Sequence, residues 1–492
     1  MPLQRKSSLA GVCAIVALGL WAAPLSALAE NETPLQLALA KSLSVAALKD
    51  AHVAVIVEAE DGRELFARDP DVALTPASNA KIFTSIAALS AFGPAHRFET
   101  VLFADALPDA DGAIETLVLQ GGGDPAVNSE DWWRIADELE RLGLRRVRGD
   151  LVLDASLFDD IRWHPSWGKT SSRAYHAPVG ALNANYGAFT TEVRPAAQVG
   201  EPARIAIAPP VAHLELVNRT RTKGEGVHTR LRVDREAAGE NERVVVEGET
   251  SADEATIRIY RSVLDPTRYA GSVLAQHLES RGIVIEGTLR VAAAPQTAAV
   301  ELLRHEGRSL AEIVRLCMKY SNNQIAEALV KQLALLAGAE RGNWKEGGAE
   351  MRRRLAELGV DPAGYALVDG SGLSYHDRAT PRALVQAIRI GEESFEFGPE
   401  WIASMPISDR DGTLADRAEG AGGEVRAKTG TLNRVTALSG LARLHSGERV
   451  RFSILVNGYR TADREAMDAV DGFVTALVTT PLGVGDEVAA SD

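Results

Sequence analysis

Apolar positions recur at helical spacing over residues 34–48, where Leu35, Leu37, Leu39, Leu43, Ala46 and Ala47 mark one side. Val53 to Glu58 alternates as a strand does. Asp61-Gly62 then makes a hairpin turn, and Glu64 to Ala67 is the returning strand. Pro76 opens a helix over 77–92, its missing N–H falling where a helix has no partner for one. From about 98 the texture changes to short strands, at 98–103, 115–119 and 151–153, with a sharp turn at Gly121-Gly122-Gly123-Asp124-Pro125 and a helix at 129–142. Residues 185–260 read as β-rich, with strands at 204–207, 214–217, 243–246 and 256–259. A helix at 266–281 and a strand at 283–285 follow. Around 300 helices return. Ser309-Leu310-Ala311-Glu312 is a capping box ahead of helix 310–319, and a second helix, 324–337, begins after Ser321-Asn322-Asn323. Strands at 424–428, 433–444 and 449–458 and a helix at 462–478 complete the pattern. The acidic end, 485–492, is expected to fray.

A chain of 492 residues exceeds what one hydrophobic core holds, about 250–300 residues. The order of elements predicts an α/β (α+β) protein, an antiparallel sheet flanked by helices and interrupted by a large β-rich insertion. Residues 30–97 and 296–492 then form one split domain. Residues 98–295 form an inserted region of two subdomains, 98–184 with 261–295, and 185–260. No internal repeat is present.

The formal charge of −14 argues against nucleic acid as a partner and against docking on anionic lipid. Arg5 and Lys6, the uncharged apolar run from Ser8 to Ala23, and Ala27-Leu28-Ala29 before Glu30 read as a signal peptide covering 1–29. The alternative is an uncleaved anchor, for which the run is short. The C-terminal residues lack the basic amphipathic pattern of a membrane-anchoring helix, so no stable membrane anchor is expected. Cys13 lies inside the apolar run, which leaves Cys317 without a disulfide partner. An exported chain without disulfides fits a bacterial periplasm and a core-stabilised fold. Cys317 itself, between Leu316 and Met318, reads as core packing. The ten histidines are scattered, with no His-Glu-x-x-His motif, and no Gly-x-Ser-x-Gly elbow occurs. No metal or cofactor is expected. Nothing in the pattern sets an oligomeric state.

Three short motifs carry candidate chemistry. In Ser78-Asn79-Ala80-Lys81, positions i and i+3 share a helix face, so hydroxyl and amine meet. A serine needs a base, and a lysine serves as one only when neutral, which burial or a second cation favours. In Ser321-Asn322-Asn323, Ser321 is placed to pass a proton between Lys81 and a leaving group, and Asn323 to hold Lys81 and a substrate amide. In Lys428-Thr429-Gly430-Thr431, Lys428 and Thr429 suit a terminal carboxylate, and Gly430 leaves room for substrate backbone along the strand. Taken singly, these stretches read better as a solvated helix face, a capped helix break and a β-turn with a surface lysine. Together and in this order they form the signature of penicillin-binding proteins and class A β-lactamases.

Longer neighbourhoods narrow the resemblance. Val368-Asp369-Gly370-Ser371-Gly372-Leu373-Ser374, Asp411-Gly412-Thr413-Leu414, Lys428-Thr429-Gly430-Thr431-Leu432 and Ala437-Leu438-Ser439-Gly440 resemble the low-molecular-mass class C penicillin-binding proteins, the D-alanyl-D-alanine carboxypeptidase/endopeptidase family (peptidase family S13). Gly121-Gly122-Gly123-Asp124-Pro125, Asp154-Ala155-Ser156-Leu157-Phe158 and Ala181-Leu182-Asn183-Ala184-Asn185 resemble its inserted region. The long gap between Ser78 and Ser321 is characteristic of this family. The resemblance implies a transpeptidase-like or β-lactamase-like catalytic domain. It makes Ser78 the acylated nucleophile, Lys81 its base, and Ser321 and Asn323 members of the proton network. Lys428, Thr429 and Gly430 become substrate-binding, and the backbone N–H groups of Ser78 and Thr431 the oxyanion hole. Asp154 is implied near the pocket for the peptide's side-chain amine, with a turn carboxylate as the alternative. The implied partners are peptidoglycan stem peptides, with β-lactams as inhibitors. Tyr375 stands where the family often has Arg, so cross-link specificity stays open. A β-lactamase or esterase on the same scaffold, and a catalytically inactive cell-wall binding protein, are the competing readings.

Overall fold

The structure is a computed structural model that describes residues 32–295 and 300–482. The leader over 1–29, Cys13 within it, and the acidic end over 485–492 lie outside the described residues. The sheet that organises the site is antiparallel, with strands ordered Val425–Leu432, Val435–Arg443, Arg449–Asn457, His52–Ala59 and Glu64–Arg68. Two of its strands come from one end of the chain and three from the other. Its central strands are buried throughout because both faces are covered, so they read as apolar runs. The pleat sends alternate residues opposite ways. Leu438 and Ala442 join Val53, Val55 and Phe473 under helices Pro34–Ser42 and Asp463–Thr479. Ala437 and Leu441 join Ile82, Phe83, Leu384 and Ile388 among the helices on the other side.

That second layer holds Ala80–Phe92, Leu310–Lys319, Asn323–Leu336, Trp344–Glu357, Pro381–Glu393 and Gly398–Ser404. The last three fall where the apolar pattern predicted no element. The helix expected over 34–48 ends at Ser42 and resumes as a single turn at Ala46–Leu48. Ser42 and Ser44 hydroxyls take the Leu39 and Ala40 carbonyls, which competes with helix continuation.

Residues 97–309 build the remaining large sheets. Five strands run in the order Leu289–Val291, Leu151–Asp154, Leu117–Gly121, Arg97–Ala104 and Val300–Ser309. Two three-stranded sheets lie within 188–262. The strand Val300–Ser309 replaces the helical texture expected near 300, and pairs with Arg97–Ala104 through two register shifts. Among the described residues no helix is long and apolar enough to cross a membrane.

Candidate active site

Ser78 sits on a tight turn, Ala77–Asn79, and the α-helix proper starts at Ala80. The expected helix start at Ala77 is displaced because Ala77 adopts a left-handed backbone, φ 46°. The turn half-exposes Ser78 while Lys81, one helical step away, is fully buried. Lys81 Nζ lies 2.9 Å from Ser78 Oγ, 2.6 Å from Asn323 Oδ1 and 2.7 Å from the Ser371 carbonyl oxygen. None of these partners is charged.

Ser321 closes helix Leu310–Lys319 in a left-handed conformation, φ 55°, and Asn322 caps the next helix through the Ile325 N–H. This reversal puts Ser321 Oγ 2.9 Å from Lys428 Nζ. Lys428 is also completely buried, and its amine donates to the Thr429 carbonyl at 2.8 Å. Burial holds the Lys81 ammonium down at about 8, against the weaker pull of the nearby Asp369 and Glu327 carboxylates. Lys428 lies well below its ordinary range through burial, with the Lys81 charge adding to it.

Lys428 stands on an edge strand, Val425–Leu432. Its first half is covered, since Ala427 N–H donates to the Pro406 carbonyl and Ile407 bridges Arg426. Backbone alternation turns the Thr429 and Thr431 N–H groups to that same edge, where no further strand or bridge is paired among the described residues. The Thr429 hydroxyl lies 2.7 Å from that of Thr413, and the turn bearing Thr413 is fixed by Lys319 on Asp411 at 2.7 Å.

Two expectations change. The room left by Gly430 is taken by the turn of Ser78: a Cβ there would come within 2.8 Å of the Pro76 carbonyl and 2.7 Å of Asn79 Nδ2. The glycine lets strand and turn approach each other. Asp154 ends strand Leu151–Asp154 and forms no hydrogen bond or ion pair with the motif residues among the described residues. Its carboxylate accepts from Ser156 N–H at 2.9 Å, Ala294 N–H at 3.0 Å and Gln120 Nε2 at 3.1 Å. These are the bonds of a turn carboxylate, the alternative reading.

Sequence reasoning missed several neighbours. The Ser371 carbonyl meets Lys81, and the Tyr175 carbonyl accepts from Asn323 Nδ2 at 2.9 Å. Tyr375 accepts from Asn433 N–H at 3.1 Å, beside the end of the edge strand. A cleft of 570 Å³ extends from Ser321 and Asn323 to Tyr175, Tyr186, Phe189 and Tyr260, which line its far part. Glu327 was readable: it lies four residues after Asn323 on the same helix face.

A sheet layered with helices on both faces, and two serines each hydrogen-bonded to a buried lysine, define the class of the penicillin-recognising serine enzymes. Residues 35–477 match the model of the D-Ala-D-Ala carboxypeptidase 3 (S13) family, and the chain belongs to that family. It is 38% identical over 424 residues to the D-alanyl-D-alanine carboxypeptidase of Actinomadura sp. (strain R39), covering 82% of this chain and 77% of that one. It is 26% identical over 401 residues to the D-alanyl-D-alanine carboxypeptidase DacB of Haemophilus influenzae, covering 79% and 82%. The crystal structure of penicillin binding protein 4 (dacB) from Haemophilus influenzae superposes with a TM-score of 0.76 at 24% identity, over 89% of this chain and 98% of that one, which shows the shared fold.

Proposed function

We propose that this protein is a serine D,D-peptidase. It removes the terminal residue from peptidoglycan stem peptides ending in D-Ala-D-Ala, and opens cross-links between D-Ala and a diamino acid, through an acyl-enzyme on Ser78. The observation that carries the reading is the set of three neutral partners around Lys81. A neutral amine has two N–H donors and one lone pair. Asn323 Oδ1 and the Ser371 carbonyl take the two donors, and the lone pair faces Ser78 Oγ.

The steps follow from that geometry. Lys81 accepts the Ser78 proton as the hydroxyl attacks the D-Ala carbonyl carbon. The oxyanion forms between the N–H groups of Ser78 and Thr431, a contribution of about 2.7–4 kcal/mol in comparable sites. Lys428 and the Thr429 hydroxyl hold the substrate's terminal carboxylate. Ser321, hydrogen-bonded to Lys428, passes the proton to the leaving amine. Water then attacks the ester, with Lys81 again the base. A β-lactam enters as acyl donor and leaves a slowly hydrolysed ester. The relatives' names, including a Haemophilus influenzae protein complexed with a β-lactam, support this.

The same reading gives the chain a cleaved leader over 1–29 and a periplasmic location. It divides the molecule into a split catalytic domain and an inserted region that walls the cleft. Labelling with a fluorescent penicillin tests it: the native chain takes up one label, and Ser78→Ala takes up none. Rapid release of hydrolysed penicillin would instead indicate a β-lactamase. Digestion of purified muropeptides reads the two peptidase activities from their products.

A further inference from the structure

The mechanism leaves three buried carboxyl groups behind Lys81 without a task. Glu327, Asp369 and Asp377 gather around the turn over 368–377, each at most 2% exposed. Asp369 Oδ1 accepts from the N–H groups of Ser371 at 3.0 Å and Gly372 at 2.6 Å. Its Oδ2 accepts from Ser374 N–H and from the indole N–H of Trp167, both at 2.8 Å. Four donors on two oxygens require an acceptor-only group, so Asp369 carries the charge. Asp377 Oδ1 accepts from Val368 N–H at 2.6 Å, its carboxyl lies against that of Asp369, and its buried Oδ2 accepts no hydrogen bond among the described residues. Burial and the Asp369 charge push the Asp377 carboxyl up, so it keeps its proton and adds no second charge.

Glu327 reaches the same turn from helix Asn323–Leu336. Its Oε1 accepts from Ser371 N–H at 2.8 Å, and its Oε2 from Gly370 N–H at 3.2 Å and the Trp344 indole at 2.7 Å. Burial, then the Asp369 charge, push Glu327 upward, so its charge titrates in the same range as Lys81. These bonds converge on Ser371. Its N–H is held by Glu327 and Asp369 together, and its carbonyl is one of the two acceptors that orient the Lys81 amine.

We propose that Asp369 and Glu327 are positioning residues for the Lys81 base: Asp369 folds the turn that aims the Ser371 carbonyl, and the charge on Glu327 sets how firmly the amine keeps its proton. The inserted region takes part, because Trp167 supplies one of the four donors to Asp369. The remaining titratable groups facing Lys81 are Cys317 from helix Leu310–Lys319 and Lys428 from the edge strand; Lys331, on Glu327's own helix, also faces Glu327, and His164, packed on the Trp344 ring, faces Asp369 and is lowered by burial. Burial pushes the Cys317 thiol up to about 11, so it stays neutral where Lys81 and Glu327 change charge; burial, then the Lys81 charge, lowers Lys428.

This inference rests on the acyl-enzyme reading, and the rate of penicillin acylation against pH, on the full chain, separates the two. Glu327→Gln removes a negative neighbour, and an amine without that neighbour loses its proton more readily. The acid limb of the profile moves to lower pH by about half a unit to one unit. Trp344→Phe deletes an N–H that stabilises the Glu327 carboxylate. Glu327 then stays neutral to higher pH, and the limb moves the same way by less. Asp369→Asn sets an amide N–H against backbone N–H donors and slows the saturated acylation rate on the order of tenfold or more, with penicillin affinity little changed. A uniformly lower rate with the limb in place, in either of the first two variants, overturns the inference and leaves the acyl-enzyme reading standing. If Glu327→Gln does not fold, Trp344→Phe decides alone. Failure of the native chain to acylate overturns both.

Discussion

Three lysines among the described residues are fully buried, in two regions that treat them differently. In the cleft, Lys81 and Lys428 meet only hydroxyl, amide and carbonyl oxygens. At the seam between helix Asn323–Leu336 and the inserted region, Lys331 donates to the Asp159 carboxylate at 2.5 Å and to the Ile161 carbonyl, and lies 4.0 Å over the Trp344 ring. Burial lowers all three amines, but only at the seam does a directly hydrogen-bonded carboxylate work against that pull; the carboxylates near Lys81 act from a distance. A buried cation with its counterion is a fastener. One denied a counterion gives up its proton, and becomes a base or a switchable charge.

Substitutions that exchange these conditions break or sharpen the contrast. Lys81→Met keeps the packing but removes the base, and acylation falls on the order of 10²–10⁴-fold with the fold intact by circular dichroism. In the native chain, acylation rises about tenfold for each pH unit up to a limb near 8, because below it Lys81 is protonated and its lone pair is gone. Stopped-flow rates across pH 5–9.5 read this directly; a rate independent of pH would remove Lys81 from the role. At the seam, Lys331→Met leaves Asp159 without its partner. Unfolding stability falls by about 1–3 kcal/mol, less than for a fully enclosed pair because Asp159 touches water, while acylation stays within about threefold. Urea melts and the same acylation assay check that smaller effect.

Much of the site was legible because its chemistry lies in side chains at short spacing. Ser78 and Lys81 share a helix face, and the Ser-Asn-Asn reversal at 321–323 and the lysine at 428 follow in the expected order. What was missed belongs to the backbone or to distant packing. The Ser371 carbonyl leaves no trace in a residue pattern. The turn at Ala77 depends on a left-handed residue that nothing in Thr75-Pro76-Ala77 announces. Helix Trp344–Glu357 was hidden by Gly347-Gly348, which weaken any helix, although Asn343 caps it. Gly347 is needed because a Cβ there would come within 1.9 Å of the Val330 carbonyl of the neighbouring helix. Strand Val300–Ser309 was hidden by register shifts that spoil its alternation, and it lies at the margin of its sheet, where charged side chains are tolerated.

The half-covered edge strand has a consequence for how the protein lives at high concentration. An uncapped β-edge invites any extended chain, including a neighbour's. Here Pro406 to Ser408 occupy the first part, and only the stretch from Thr429 to Leu432 stays open. That is long enough to grip a short ligand by its main chain, and too brief to template runaway association between copies.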